Sequence, residues 1–119
     1  ERGDHFLFMN GREVFRHAVK RFPETINESL EFNGLTSEDI DLLVPHQANL
    51  RISDMIQKKM GLPDNKVFNN IQKYGNTTAA SIPICLSEAK KEGKINNNDL
   101  VVCAAFGAGF LWGSTVIKW

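Results

Sequence analysis

Cysteine is scarce in this chain of 119 residues, and neither sign of charge is in surplus. Its 2 cysteines, Cys85 and Cys103, form no CxxC pair and no metal-ligand spacing, which argues against a disulfide scaffold or a metal-binding domain. The 14 basic residues balance the 14 acidic ones, so the net charge of the chain provides no general attraction to nucleic acid or to an anionic membrane. No apolar run approaches the length of a membrane span. We therefore expect no metal, nucleic acid or membrane among its partners.

What remains is the composition of an ordinary globular domain, with 42% hydrophobic and 24% charged residues. The length suffices for one domain with a real core. Because both cysteines lie inside apolar segments, we interpret them as reduced, buried thiols of a cytoplasmic protein. The chain has no starting methionine, so we expect it to be a piece of a longer one.

Hydrophobic periodicity predicts alternating helices and strands. Asn10 and Glu13 are typical of a helix start, and apolar residues then repeat at helical spacing through residue 32. Further helices are predicted at 49–60 and 76–93, and strands at 41–44, 66–69, 99–106 and 110–119, with 5–9 as a short strand or ordered lead-in. This order favours an α/β domain with a mostly parallel, five-stranded mixed sheet, flanking helices and a C-terminal antiparallel strand.

Three loops with polar or glycine-rich content follow the predicted units at nearly equal spacing. His46, Asn76 and Gly107 lie 30 and 31 residues apart, which is about the length of one strand–helix unit. The loops are therefore expected at the carboxyl ends of neighbouring parallel strands, where open α/β sheets bind ligands. The alternative is structural: His46 as a solvated strand end and Asn76 as a helix cap.

The motifs VPHQANLRI, YGNTTAASIP and AAFGAGFLWGS together resemble the C-terminal half of the β-ketoacyl-acyl carrier protein synthase III family, of the thiolase superfamily. NGREVFRHAV is similar to a segment that the family carries upstream. The resemblance runs over nearly the whole chain. It implies one thiolase-like domain over 1–119, with the N-terminal half of the protein outside this chain.

The resemblance also implies a reaction. The family joins an acyl-CoA starter, here expected to be acetyl-CoA, to malonyl-acyl carrier protein with loss of carbon dioxide, and so begins fatty acid synthesis. His46 and Asn76 match the catalytic histidine and asparagine, two hydrogen-bond donors for the thioester oxygen on which negative charge develops. We consider a general-base role for His46 weaker, because decarboxylation needs no proton abstraction. The thioesters of coenzyme A and acyl carrier protein are substrates, no further cofactor is expected, and a homodimer is.

Further site residues follow from the same resemblance. The turn after the penultimate strand is expected to supply a backbone oxyanion contact, and Ala108 stands there where the family often has glycine. Two other groups are implied, one lining the pantetheine tunnel and one receiving the acidic carrier protein. The oxyanion turn is Gly107, Ala108 and Gly109; the pantetheine group is Gly11, Phe15 and Asn49; the carrier-protein group is Arg51, Lys58 and Lys59. Plainer roles stay open: helix core for Phe15, a helix cap for Asn49 and solvated charges for the cations.

The nucleophilic cysteine that such an enzyme needs has no candidate here. Cys85 falls inside a predicted helix and Cys103 inside a predicted strand, whereas a nucleophile wants an exposed, electropositive site. We therefore expect the chain alone to be catalytically silent. Two alternatives remain: a starter condensing enzyme of polyketide or quinolone type, and a non-catalytic acyl-CoA-binding domain. The presence of both His46 and Asn76 argues against the second.

Overall fold

Helices and strands alternate along residues 8–119, the part of the chain described by this computed structural model. The helices are α1 (Gly11–Phe32), α2 (Leu50–Met60), α3 (Ile71–Tyr74) and α4 (Ser81–Lys91), and the strands are β1 (Leu42–Pro45), β2 (Leu100–Gly107) and β3 (Leu111–Lys118). Within these residues, no helix combines the length and the hydrophobicity needed to cross a bilayer. Residues 5–7 of the predicted lead-in strand lie outside the described residues, and Phe8 and Met9 belong to no helix or strand.

One mixed sheet in the order β1-β2-β3 forms the centre, with β1 parallel to β2 and β3 antiparallel to β2. Both faces of β1 are buried because helices cover both sides. The first core contains side chains of α1 and α2 with one face of the sheet: Ala18, Phe22, Ile26, Leu30, Leu43, Ile52, Ile56 and Val102 among them. The second places α4 against the other face and includes Leu42, Val44, Cys85, Ala89, Val101 and Cys103. This two-sided burial explains why β1 and β2 are continuous apolar runs rather than alternating ones.

The predicted five-stranded, mostly parallel sheet is wrong for the described residues, which contain three strands. Segment 66–69 contributes an isolated parallel bridge between Val67 and Leu43, and Phe68 N–H donates to the Leu43 carbonyl at 2.9 Å. The next backbone donors then turn away from the sheet. Asn70 N–H and Ile71 N–H both donate to Oε1 of Gln47, at 3.0 and 3.1 Å. The buried side chain of Gln47 thus replaces a strand backbone as the hydrogen-bond acceptor at the point where α3 begins.

The predicted start of the last helix at residue 76 is also wrong, since α4 begins at Ser81. Asn76 Oδ1 instead accepts the N–H of Thr78 at 2.9 Å, and a short 3-10 turn over Thr78–Ala80 precedes the helix. Pro83 is the third residue of α4, where an N–H would have no partner within the helix. Its missing donor therefore costs the helix nothing.

The buried amide of Gln47 gives the first prediction. Gln47 is 3% exposed, and its Nε2 donates to the Pro45 carbonyl at 2.8 Å while its Oε1 accepts the two N–H groups described above. Gln47→Leu leaves both donors without an acceptor, so we expect the free energy of unfolding to fall by about 2–5 kcal/mol. Urea unfolding followed by circular dichroism measures this loss.

The control is Gln72→Leu, at an exposed position of α3. We expect its unfolding midpoint to stay close to that of the parent protein. Equal midpoints for the two variants would show that Gln47 does not hold this turn.

Candidate active site

The carboxyl ends of β1 and β2 meet at one edge of the sheet. His46 follows β1 directly, and its N–H donates to the Ala104 carbonyl of β2 at 2.8 Å. β2 ends at Gly107, and Asn76 lies in the loop before α4. Two adjoining cavities open at this edge. The residues that line both are His46, Asn76, Phe106, Gly107 and Ala108.

The two cavities differ in their remaining walls. The first, of about 620 Å³, is completed by the loop before α4 and by the start of β3, including Thr78, Leu111 and Trp112. The second, of about 530 Å³, lies between the sheet edge and the N-terminal half of α1. Its walls are mostly carbon, and its polar side chains are those of Asn10, His46 and Asn76. A mostly apolar cavity of this size with a few convergent polar groups is typical of small-molecule sites.

The ring of His46 is half-buried and held from behind. Its Nδ1 lies 2.6 Å from Oγ of Ser81, a residue that is 1% exposed. Burial lowers the pKa of His46, because the charged imidazolium loses hydration there. The imidazole is therefore neutral at neutral pH, with one ring nitrogen as donor and the other as acceptor.

The side chain of Asn76 is exposed, and its two polar ends have different surroundings. The oxygen is occupied by Thr78 N–H at 2.9 Å, while the NH₂ group donates to no residue of 8–119. Thr78 itself has a φ of +51°, a left-handed conformation that a β-branched residue adopts at a cost. The backbone of the loop before α4 is thus strained at Thr78. The loop holds the side-chain oxygen of Asn76 in place and leaves its NH₂ group as a hydrogen-bond donor.

The predicted oxyanion residues lie at the last position of β2 (Gly107) and in the turn that follows it (Ala108 and Gly109), and all three line the second cavity. Gly109 has a φ of +139°, and a Cβ there would lie 2.9 Å from Cγ of Leu111. That position therefore requires glycine. Ala108 is outside the left-handed region, so its methyl group causes no backbone strain.

The three residues predicted to contact pantetheine do not line either cavity. Gly11 is exposed at the start of α1, Phe15 packs against the first core, and Asn49 caps α2 by accepting Arg51 N–H at 3.0 Å. The second cavity is lined instead by residues on adjacent positions, Val14, Ala18 and Phe22 of α1 with Ala48 and Ile52 near the start of α2. Val14, Ala18 and Phe22 are four residues apart and so lie on one face of α1. This spacing in the sequence could have identified them as the residues that line the cavity.

The cations predicted to receive the carrier protein separate into two kinds. Arg51 and Lys58 are exposed on α2 and lie seven residues apart, on one face of the helix. The ammonium group of Lys59 instead donates to the Val19 carbonyl of α1 at 3.1 Å. Within residues 8–119 the side chains of Arg51 and Lys58 form no ion pair and no hydrogen bond, whereas Lys59 joins two helices.

Both cysteines are free and buried, as expected from their apolar surroundings. Cys85 Sγ donates to Oδ1 of Asn70 at 3.0 Å. Burial raises the pKa of each thiol to about 11, so both are protonated at neutral pH. Neither can act there as a thiolate nucleophile.

Comparison with known proteins finds matches to the same family that the sequence motifs resemble. The family profile described as 3-oxoacyl-[acyl-carrier-protein] synthase III, C terminal, matches residues 30–119. A β-ketoacyl-[acyl-carrier-protein] synthase III of Symbiobacterium thermophilum is 51% identical over 117 residues, which are 98% of this chain and 36% of that protein. This chain therefore spans about a third of the length of such relatives.

Solved structures match closely. The crystal structure of 3-oxoacyl-[acyl-carrier-protein] synthase III from Aquifex aeolicus superposes with a TM-score of 0.93 at 47% identity, over 96% of this chain and 37% of that one. The priming β-ketosynthase of the R1128 polyketide pathway gives 0.87 at 34% identity, over 92% and 33%. These matches confirm the thiolase-like α/β fold, with three strands in this part of it.

The state of the thiols gives the second prediction. Thiolate is the species that reacts with iodoacetamide, and at neutral pH about 10⁻³ or less of each buried thiol is ionised. We expect Cys85 and Cys103 to stay unmodified in the folded protein at neutral pH, and to react fully in concentrated guanidinium chloride. Peptide mass spectrometry measures both states, and rapid alkylation of either cysteine before unfolding would contradict this account.

Proposed function

The chain belongs to the 3-oxoacyl-[acyl-carrier-protein] synthase III family, and we propose that it forms the C-terminal part of a condensing enzyme of fatty acid synthesis. The proposed enzyme joins an acyl-CoA starter, acetyl-CoA in the simplest case, to malonyl-acyl carrier protein. One observation carries the proposal: His46 and Asn76, on two separate loops, line the same two cavities. The remainder of the protein would supply the nucleophile and the rest of the substrate site.

Decarboxylation is the step to which these two side chains would contribute. The bond between the malonyl carboxylate and the α-carbon breaks, carbon dioxide leaves, and the electron pair spreads onto the thioester oxygen. The NH₂ group of Asn76 is available as a donor because its oxygen is held by the loop. Nε2 is the ring nitrogen of His46 that remains for a substrate, because Nδ1 faces Ser81. Two fixed donors at the developing oxyanion lower the barrier.

Condensation then needs an acyl group on a cysteine from outside this chain, since Cys85 and Cys103 are protonated. The enolate carbon attacks the acyl thioester carbonyl, the new carbon–carbon bond forms, and the cysteine thiolate leaves. Backbone N–H groups of the turn 107–109 would stabilise the oxygen of that second thioester. The position of this turn beside His46 in the second cavity supports the assignment.

Substrate delivery would use the second cavity and the exposed face of α2. We place the pantetheine arm along the second cavity, since Gly11, Phe15 and Asn49 are each adjacent in sequence to a residue that lines it. The acidic carrier protein would dock on Arg51 and Lys58, with Lys59 contributing less because of its bond to α1. The substrates are the two thioesters, no further cofactor is assigned, and we propose a cytoplasmic homodimer.

A second candidate is the priming condensation of a polyketide pathway, favoured by the 34% identity to the R1128 priming ketosynthase. It would use the same histidine and asparagine with a different starter. Turnover of acetyl-CoA against longer and branched acyl-CoA substrates distinguishes the two candidates. A preference for acetyl-CoA of tenfold or more, roughly 1.4 kcal/mol, would favour fatty acid initiation.

His46→Ala tests the central assignment. We expect carbon dioxide release from malonyl-acyl carrier protein by the full-length protein to fall roughly 10²–10³-fold, because one oxyanion donor is lost. Transfer of a radiolabelled acetyl group from acetyl-CoA to the protein should persist, since that step uses the other thioester. Equal survival of both steps would remove the role given to His46.

Asn76→Asp separates the two ends of the amide. The new carboxylate keeps an oxygen for Thr78 N–H but has no NH₂ donor, and it places negative charge beside the developing oxyanion. We expect decarboxylation to fall at least roughly 10²-fold while the melting temperature is unchanged. The control Asn97→Asp, an exposed site in the turn before β2, should leave both quantities unchanged. Retained decarboxylation in Asn76→Asp would show that the amide donor is not used.

A further inference from the structure

Ser81, the first residue of α4, lies behind His46 and lines neither cavity. We propose that its hydroxyl group is a positioning element that holds His46 in the tautomer whose Nε2 carries the proton. This inference rests on the proposed function, because it assigns the donor atom of that same site. Ser81 would act through His46 and would not touch the substrate itself.

The hydrogen bonds around Oγ of Ser81 determine the direction of its contact with the ring. The N–H of Gln47 donates to this oxygen at 3.2 Å, and Nδ1 of His46 lies 2.6 Å away. An N–H group can only donate, so it occupies a lone pair of the hydroxyl oxygen. The hydroxyl hydrogen then needs an acceptor, and within residues 8–119 Nδ1 is the acceptor that the structure provides. Ser81 therefore donates to Nδ1, and the single proton of the neutral ring is on Nε2.

The opposite tautomer would be unfavourable on both sides of the ring. With the proton on Nδ1, Oγ of Ser81 would accept two N–H groups, and its own hydrogen would be buried without an acceptor. Nε2 would then present a lone pair to the cavity. A lone pair repels the negative charge that develops on a thioester oxygen, whereas an N–H stabilises it. The tautomer of His46 thus decides whether Nε2 attracts or repels the negatively charged thioester oxygen.

The fold holds both partners of this contact in place. Ser81 is buried at the start of a helix that packs on the sheet, and its hydroxyl oxygen is held by the Gln47 N–H. Gln47, whose N–H fixes the hydroxyl oxygen, is itself held through its side chain by Pro45 and Asn70. The position of the His46 ring is therefore set by its backbone at the end of β1 and by its contact with Ser81 at the start of α4.

NMR of the imidazole nitrogens in the full-length protein tests the tautomer directly, with the His46 signals assigned by their loss in His46→Ala. In the parent protein at neutral pH we expect Nε2 to be protonated and Nδ1 to be an acceptor. Ser81→Ala should give averaged nitrogen shifts from a mixture of tautomers, and decarboxylation should fall about three- to tenfold, the effect of one hydrogen bond. Ser81→Thr keeps the hydroxyl group and should restore both. Ser87→Ala, an exposed serine of the same helix, should change neither.

A parent spectrum with the proton on Nδ1 would overturn the inference, and so would unchanged nitrogen shifts in Ser81→Ala. If Ser81→Ala does not fold, the parent spectrum alone decides. Failure of the proposed function is a separate result: decarboxylation would survive in His46→Ala, whatever the tautomer in the parent protein.

Discussion

Parallel pairing of β1 with β2 is the contact on which the candidate site depends. Two parallel strands leave the sheet at the same edge, so the residue after β1 and the turn after β2 become neighbours. Pro45 has no N–H, and the pairing is continued by His46, whose N–H reaches the Ala104 carbonyl. An antiparallel register would have placed His46 near the start of β2, far from the turn 107–109. The direction of one strand pair therefore brings the imidazole to the end of β2 and the turn that follows it.

Much of this arrangement could be predicted from the sequence, because helical periodicity and continuous apolar runs report on backbone and burial. They located α1, α2, β1 and the final strand pair, and the 30- and 31-residue spacings placed three loops at one edge. The errors at 66–69 and at residue 76 have a common cause. In both places a side-chain oxygen, of Gln47 or of Asn76, takes backbone donors that a strand or helix would have used. Such bonds leave no periodic signal in the sequence.

The amide side chains of Gln47, Asn49 and Asn76 differ in the groups that they leave available to a ligand. Gln47 has both ends occupied by buried partners, so it is structural although it adjoins His46. Asn49 and Asn76 each use the oxygen for the local backbone, and their NH₂ groups bond no other residue of 8–119. A structural role and a role toward substrate are therefore compatible within one side chain. For that reason the choice between helix cap and catalytic donor, posed by the sequence, is not a choice between exclusive alternatives.

Neutrality of the interior groups has a consequence for the proposed chemistry. Burial disfavours the charged forms of His46, Cys85 and Cys103, and the described residues that line the two cavities include no Asp or Glu. An imidazolium would attract the malonyl carboxylate in the ground state as well as the oxyanion in the transition state. Such uniform binding does not lower the barrier to decarboxylation. In the proposed reaction, neutral donors directed at the thioester oxygen would act where charge appears, and the negative charge would arrive with the substrate.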